Sequence, residues 1–210
     1  MNELIKQINK LQKSEIGKLV QIKLDEFKEI QKQGDDIWFS ELCFCLLAYS
    51  SKARNSLKIQ KELGVKKLLE APLNEIRECI VKNHHRFHNT KARFIVEARQ
   101  FMPIKQRILE YIKNNKDPRE FLVNNINGFG YKEGSHYLRN VGFLDYAILD
   151  RHILFLMKEH GLIDQIPKSP GKRLYLEIEN KFIDICKKLK MKPGEVDLYM
   201  WYMRTNDLVK

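Results

Sequence analysis

The chain is expected to be all α, and three features of its sequence say so. Apolar residues recur at helical spacing almost everywhere, as in Ile16, Leu19, Ile22, Leu24, Phe27 and Ile30, while sustained strand-like alternation is absent. Helix-start punctuation is frequent. The stretch WFSELCFCLLAYSS, Trp38 to Ser51, is apolar nearly all round, which suits a central helix enclosed on every side. At 210 residues the chain can bury one large core or two small ones without disulfides.

The elements follow in order. The opening MNELIKQINKLQKSEIGKLV is amphipathic and charged throughout, unlike a signal peptide, and Ser14 punctuates it before the next helix. Asp35 or Asp36 starts the apolar helix. NTKARFIVEARQF, Asn89 to Phe101, is broken by Pro103, after which IKQRILEYIKNN resumes the helical period. Asp117-Pro118-Arg119-Glu120 reads as a cap, a first-position proline and a capping-box acid. PREFLVNN then ends near Asn124 or Asn125, INGFGY turns, and KEGSHYLRNVG runs to Gly142. Asp150 opens DRHILFLMKEHG, immediately before an amphipathic helix that stops at Gly161, and further starts fall at Ser169-Pro170 and Pro193. No Ser, Gly or Pro tract marks a linker, so any two lobes must pack together.

Charge and cysteines narrow the class. With 38 Lys and Arg against 27 Asp and Glu, the net charge of +11 favours a polyanionic partner such as nucleic acid. Cys43, Cys45, Cys79 and Cys186 have no disulfide-framework spacing and read as reduced core thiols of an intracellular protein. No apolar run approaches the roughly 20 residues that a membrane span needs. His84, His85 and His88 follow Cys79, but their spacing matches no closed tetrahedral metal site. The basic residues around them, Arg86, Lys91 and Arg93, are either phosphate contacts or a solvated face. His136 and His152 are read as structural.

Asn127 to Gly142 holds the most informative pattern, a helix-hairpin-helix. Gly128 and Gly130 permit backbone angles closed to other residues, and the turn's N–H groups with the next helix's N-terminus form an anion site suited to a DNA phosphate. The same turn also serves as a plain connector with Phe129 plugged into the core. Lys132 is an unfavourable choice near a positive helix end unless it is solvated, meets phosphate, or sits in a cationic setting that frees an amine as a nucleophile. Asp150 reads as an N-cap, and a carboxylate at a helix end also suits the stabilisation of developing positive charge.

The hairpin Gly128-Phe129-Gly130-Tyr131-Lys132 followed by Asp150 resembles the helix-hairpin-helix superfamily of DNA base-excision glycosylases. LCFCLLA, HRF, FLVNNINGFGYKEGSHYLRNVG, AILDRHI and VDLYMWYMRTNDLVK look like its archaeal-type 8-oxoguanine DNA glycosylase/lyase branch, from about Glu41 to Lys210. The resemblance implies two helical lobes with a cleft. One is barrel-like, at 34–142 with the hairpin at 118–142; the other combines 1–33 and 143–210. It implies a bifunctional enzyme that excises 8-oxoguanine through a Lys132 Schiff base, with Asp150 as its companion, and nicks the strand by β-elimination. Gly128, Gly130 and Arg86 are implied to hold the DNA backbone. Phe87, Trp201 and the terminal Lys210 are implied to line the base pocket, although Trp201 also lies at helical spacing in LYMWYM and suits plain core packing. The implied partner is double-stranded DNA containing 8-oxoguanine, met by a monomer in the prokaryotic cytoplasm, at the nucleoid, with no cofactor and no membrane. Oxidised-pyrimidine relatives carry an iron-sulfur cluster on four closely spaced cysteines, whereas only Cys186 follows the hairpin here. The alternatives are a glycosylase for another oxidised base and a module that only holds DNA.

Overall fold

The computed structural model describes residues 1–208. Lys210, expected in the base pocket, lies outside the described residues. Among those residues there are helices α1 (Asn2–Gln12), α2 (Glu15–Lys32), α3 (Asp35–Ala48), α4 (Ala53–Glu70), α5 (Leu73–Lys82), α6 (His88–Ala98), α7 (Ile104–Lys113), α8 (Pro118–Asn125), α9 (Tyr131–Asn140), α10 (Arg151–Glu159), α11 (Lys172–Leu189) and α12 (Pro193–Thr205), and no strand. They form two compact units, one of Met1–Glu29 with Leu138–Leu208 and one of Ile30–Tyr137. The divisions fall within α2 and α9.

The Ile30–Tyr137 unit is built on α3, which buries every side chain from Trp38 to Leu47 and packs against α4, α6 and α7. Its polar members are satisfied in place: Gln60 Nε2 donates to Ser40 O at 2.9 Å and to Glu41 Oε1 at 3.2 Å, and Trp38 Nε1 donates to Ile30 O at 3.1 Å. α3 starts at Asp35, one of the two expected positions, but Asp35 does not cap it. Gly34 is its N-cap, while Asp35 Oδ1 accepts the Lys105 N–H at 2.6 Å and so caps α7. Pro103, which precedes α7, has no hydroxyl or carboxylate to do this. After Ala98 the chain tightens into a 3-10 turn, Arg99–Phe101, ahead of Pro103.

The second unit packs α1 and α10 against α12, and α11 against both α1 and α12. Leu4 and Ile8 of α1, one turn apart, are fully buried. In α2 the buried stripe is Val20, Leu24 and Phe27, whereas Leu19 and Ile22 are exposed. Both sets have helical spacing, so periodicity alone does not choose between them. α11 starts at Lys172 with Gly171 as N-cap, later than Ser169-Pro170 suggested. α12 does start at Pro193. Gly142, at φ +91°, ends α9 by a paired turn in which Gly142 N–H donates to Arg139 O and Phe143 N–H to Leu138 O.

The hairpin lysine, the capping aspartate and their surroundings

The hairpin is locked from within. Asp117 Oδ1 accepts the Arg119 N–H at 2.8 Å, so α8 has the cap its sequence proposes. Arg119 is buried; its Nη1 donates to Ser135 Oγ of α9 at 3.3 Å, its Nη2 to Asp117 Oδ2 at 3.3 Å, and its guanidinium lies 5.4 Å from the Tyr131 ring centre. The Tyr131 hydroxyl donates to Glu120. One buried cation thus clamps both helices of the motif, a role that the sequence reading did not assign.

The turn's two glycines differ. Gly128 adopts φ +88°, and a Cβ there would lie 2.6 Å from the Phe94 ring, so both conformation and space exclude a side chain. Phe129 is buried and meets Tyr137 edge-on at 6.2 Å, so the core plug is present. Gly130 has no positive φ. Contrary to the expectation of an open N–H there, its N–H donates to Glu133 Oε2 at 3.2 Å, as the acid of a capping box does when it reaches back to the N-cap. The other oxygen, Glu133 Oε1, accepts from Lys132 Nζ at 3.1 Å. Glu133 is buried and Lys132 half-buried. The hairpin lysine is therefore held by a carboxylate that is itself anchored to the turn.

The segment His84–Phe87 carries two left-handed residues that are not glycine, His84 at φ 51° and Phe87 at φ 58°. Such backbone costs energy and clusters at functional sites. Phe87 is 53% exposed, and the exposed Arg86 places its guanidinium 5.5 Å from the Phe87 ring centre. His85 instead turns inward to Ser56 Oγ at 3.3 Å. Lys91, grouped with Arg86 and Arg93 as a phosphate contact or part of a solvated face, is in neither place: it is 2% exposed. Its Nζ donates to Leu47 O and Tyr49 O, each at 2.6 Å, and lies 3.4 Å from His85 Nδ1. It thus satisfies carbonyls at the C-terminal end of α3, where a cation is favoured.

Burial pushes the Lys91 amine down to about 7, and the like charges of Lys132 and Arg86 add to the shift. The unfolded chain then holds more protons than the folded one from about pH 7 up to the ordinary lysine range, so stability rises with pH across that window. Relative to Lys91→Met, the wild-type protein is expected to gain up to about 1.4 kcal/mol per pH unit between pH 7 and 10. Chemical denaturation of both proteins at several pH values measures this, and a flat difference would mean that the folded amine stays charged.

In the other unit, Asp150 caps α10. Its Oδ1 accepts the N–H groups of His152 and Ile153 at 2.8 and 2.9 Å. Its Oδ2 has no partner among the described residues. Cap and available carboxylate oxygen thus coexist in one side chain. His152 meets Trp201 edge-on at 5.0 Å, which brings the Trp201 ring to the first turn of α10. Trp201 Nε1 is enclosed without a hydrogen bond among the described residues, an unusual condition for a buried donor.

No group of three His, Cys, Asp or Glu among the described residues is placed to hold a metal. All four cysteines are buried and none is in a disulfide. No helix among the described residues is long and apolar enough to cross a membrane.

These features define an all-helical protein of the helix-hairpin-helix class. A family model for 8-oxoguanine DNA glycosylase matches residues 20–191. The 8-oxoguanine DNA glycosylase/AP lyase of Methanocaldococcus jannaschii is 46% identical over 207 residues, 99% of each chain, and that of Thermoplasma volcanium is 40% identical over 196 residues, 93% of this chain and 94% of the relative. Among solved structures, the M. jannaschii glycosylase/lyase in complex with a 15mer DNA containing 8-oxoguanine superposes with a TM-score of 0.94 at 46% identity, covering 99% of this chain and all of that one. The Thermotoga maritima 8-oxoguanine DNA glycosylase gives 0.91 at 37% identity, covering 100% and 99%. The chain belongs to the 8-oxoguanine DNA glycosylase family.

Proposed function

We propose that this protein is a bifunctional DNA glycosylase and abasic-site lyase that removes 8-oxoguanine from duplex DNA. The observation that carries the reading is Lys132, half-buried in the first turn after the hairpin and held by an anchored carboxylate. The nucleotide must first leave the stack, because its anomeric carbon is inaccessible within a duplex. Lys132 must first give up the proton that its ion pair with Glu133 favours; as a neutral amine it then attacks that carbon, and the base departs with the electrons of the glycosidic bond. Asp150 stabilises the oxocarbenium-like charge on the sugar, and its Oδ2, without a partner among the described residues, supports this role. The sugar opens to a Schiff base on Lys132; a proton leaves C2′ and the 3′ phosphate departs, cutting the strand 3′ to the lesion.

The turn at Gly128 and Gly130, with Arg86, holds the DNA backbone, a contact that positions the duplex without reading sequence. Phe87 and Trp201 hold the extruded base, stacking on such rings being worth about 1–3 kcal/mol. Their support is the exposure and left-handed backbone of Phe87 and the Trp201 indole N–H, which has no partner among the described residues. Oxidation creates an N–H donor on the imidazole side of guanine, and an acceptor facing it in the base pocket discriminates the lesion.

The test is borohydride reduction of the protein with duplexes carrying single lesions. A covalent adduct on 8-oxoguanine DNA is expected, and its absence from folded, DNA-binding protein would sink the lyase reading. Asp150→Asn is expected to slow base loss by about 10²–10³-fold in single-turnover assays. Undiminished base loss would remove the role given to Asp150.

A further inference from the structure

Asp150 ends a buried stretch, Ala147-Ile148-Leu149, that belongs to no helix or sheet. Buried backbone groups outside regular structure need partners from elsewhere. Here they come from two side chains of α11, one turn apart. Tyr175 Oη donates to Ala147 O at 2.7 Å and accepts the Leu149 N–H at 3.2 Å. Glu179 Oε1 accepts the Ala147 N–H at 3.1 Å. The Asp150 N–H closes a tight turn onto Ile148 O at 2.9 Å. Tyr175 and Glu179 are 1% and 5% exposed. Burying a hydroxyl and a carboxyl in an apolar interior is costly unless they are bonded, and here the bonds go to the residues that lead into the aspartate.

We propose that Tyr175 is a positioning residue for Asp150: its hydroxyl fixes the 147–149 segment and thereby sets where the aspartate's second carboxylate oxygen stands during base loss. This rests on the reading of Asp150 as the group that stabilises charge on the sugar. Removing the hydroxyl leaves Ala147 O and the Leu149 N–H without it and lets the segment shift. Displacements of about 1 Å are enough to cost on the order of 10²-fold in rate. The consequence is confined to the step that uses Asp150. Schiff-base formation on an abasic site that already exists needs no base to leave, so it is spared.

The test compares wild type, Tyr175→Phe and Asp150→Asn on two duplexes, one with a single 8-oxoguanine and one with a ready-made abasic site. Tyr175→Phe is expected to slow base loss by roughly 10- to 100-fold under single turnover. Borohydride trapping on the abasic duplex should stay within about twofold of wild type. Equal losses on both substrates would show a general structural defect, and unchanged base loss would show that the hydroxyl does not position the aspartate; either overturns the proposal. If Tyr175→Phe does not fold, Glu179→Ala, which frees the same segment at Ala147, must show the same split between substrates. Asp150→Asn separates the two levels: full base loss in that variant removes the reading beneath, whereas slow Asp150→Asn with normal Tyr175→Phe removes only the positioning role.

Discussion

Replacing Lys132 by Gln is expected to abolish the borohydride adduct and all strand cleavage at 8-oxoguanine while leaving duplex binding in place. The glutamine keeps a polar chain of similar length but has no amine to form an imine. Nucleophiles held against their target act with effective molarities of about 10⁵ M or more, so the loss should span several orders of magnitude. The hairpin should survive. Its lock is Arg119 bonded to Asp117 and Ser135, and Glu133 keeps its bond to the Gly130 N–H, neither of which needs the lysine. Gel-shift affinity, single-turnover cleavage and trapping on the same preparations check this. Persistent trapping would move the nucleophile to another amine; cleavage lost together with DNA binding would make Lys132 a phosphate anchor.

Asp197→Ala is expected to cost about 3–5 kcal/mol of stability, a large part of the roughly 5–15 kcal/mol that a domain possesses. Arg139 and Asp197 are both buried and pair directly. Arg139 Nη2 also donates to Asn140 Oδ1 at 3.2 Å, and the guanidinium lies 5.2 Å from the Phe27 ring centre. Its Nε already has no hydrogen bond among the described residues. Without Asp197 a buried cation loses its counter-charge, and α12 packs too closely to admit repair: a Cβ at Gly194 would stand 2.9 Å from Arg139 Cγ. Arg139→Met combined with Asp197→Leu should be far less damaging than either charge deletion alone, because neither leaves a buried charge. Urea denaturation of the two single variants and the double one measures the difference; additive losses would contradict the pairing argument.

Signals confined to one or two helical turns were legible without coordinates. Asp117 and Asp150 cap the helices they precede, Pro193 opens α12, and Gly142 ends α9. The apolar run Trp38–Leu47 is buried throughout. Partners were not legible where they lay far along the chain. Asp35 starts its own helix, yet its carboxylate serves the N–H of Lys105. Leu19 and Ile22 share the helical period of the buried stripe and still face solvent. For the candidate site, the turn could be read from its glycines, while the lysine and the aspartate were singled out by the family resemblance. Glu133 could have been found too, since an acid three residues after Gly130 is a capping-box signal.

What could be read before folding is local: helical periods, caps, the glycines of the turn, and the order hairpin, lysine, aspartate. These depend on neighbours within a turn or two, and the chain carries them wherever it folds. Only the tertiary structure decided which polar groups face inward. Lys91 reads as one more surface cation until the carbonyls of Leu47 and Tyr49 stand before it. Tyr175 and Glu179 read as ordinary α11 residues until Ala147 and Leu149 need their bonds. Arg139 and Asp197 are 58 residues apart and meet only when α12 closes on the end of α9. A buried polar group is stable only beside its partner, and no local pattern of residues records where that partner will be.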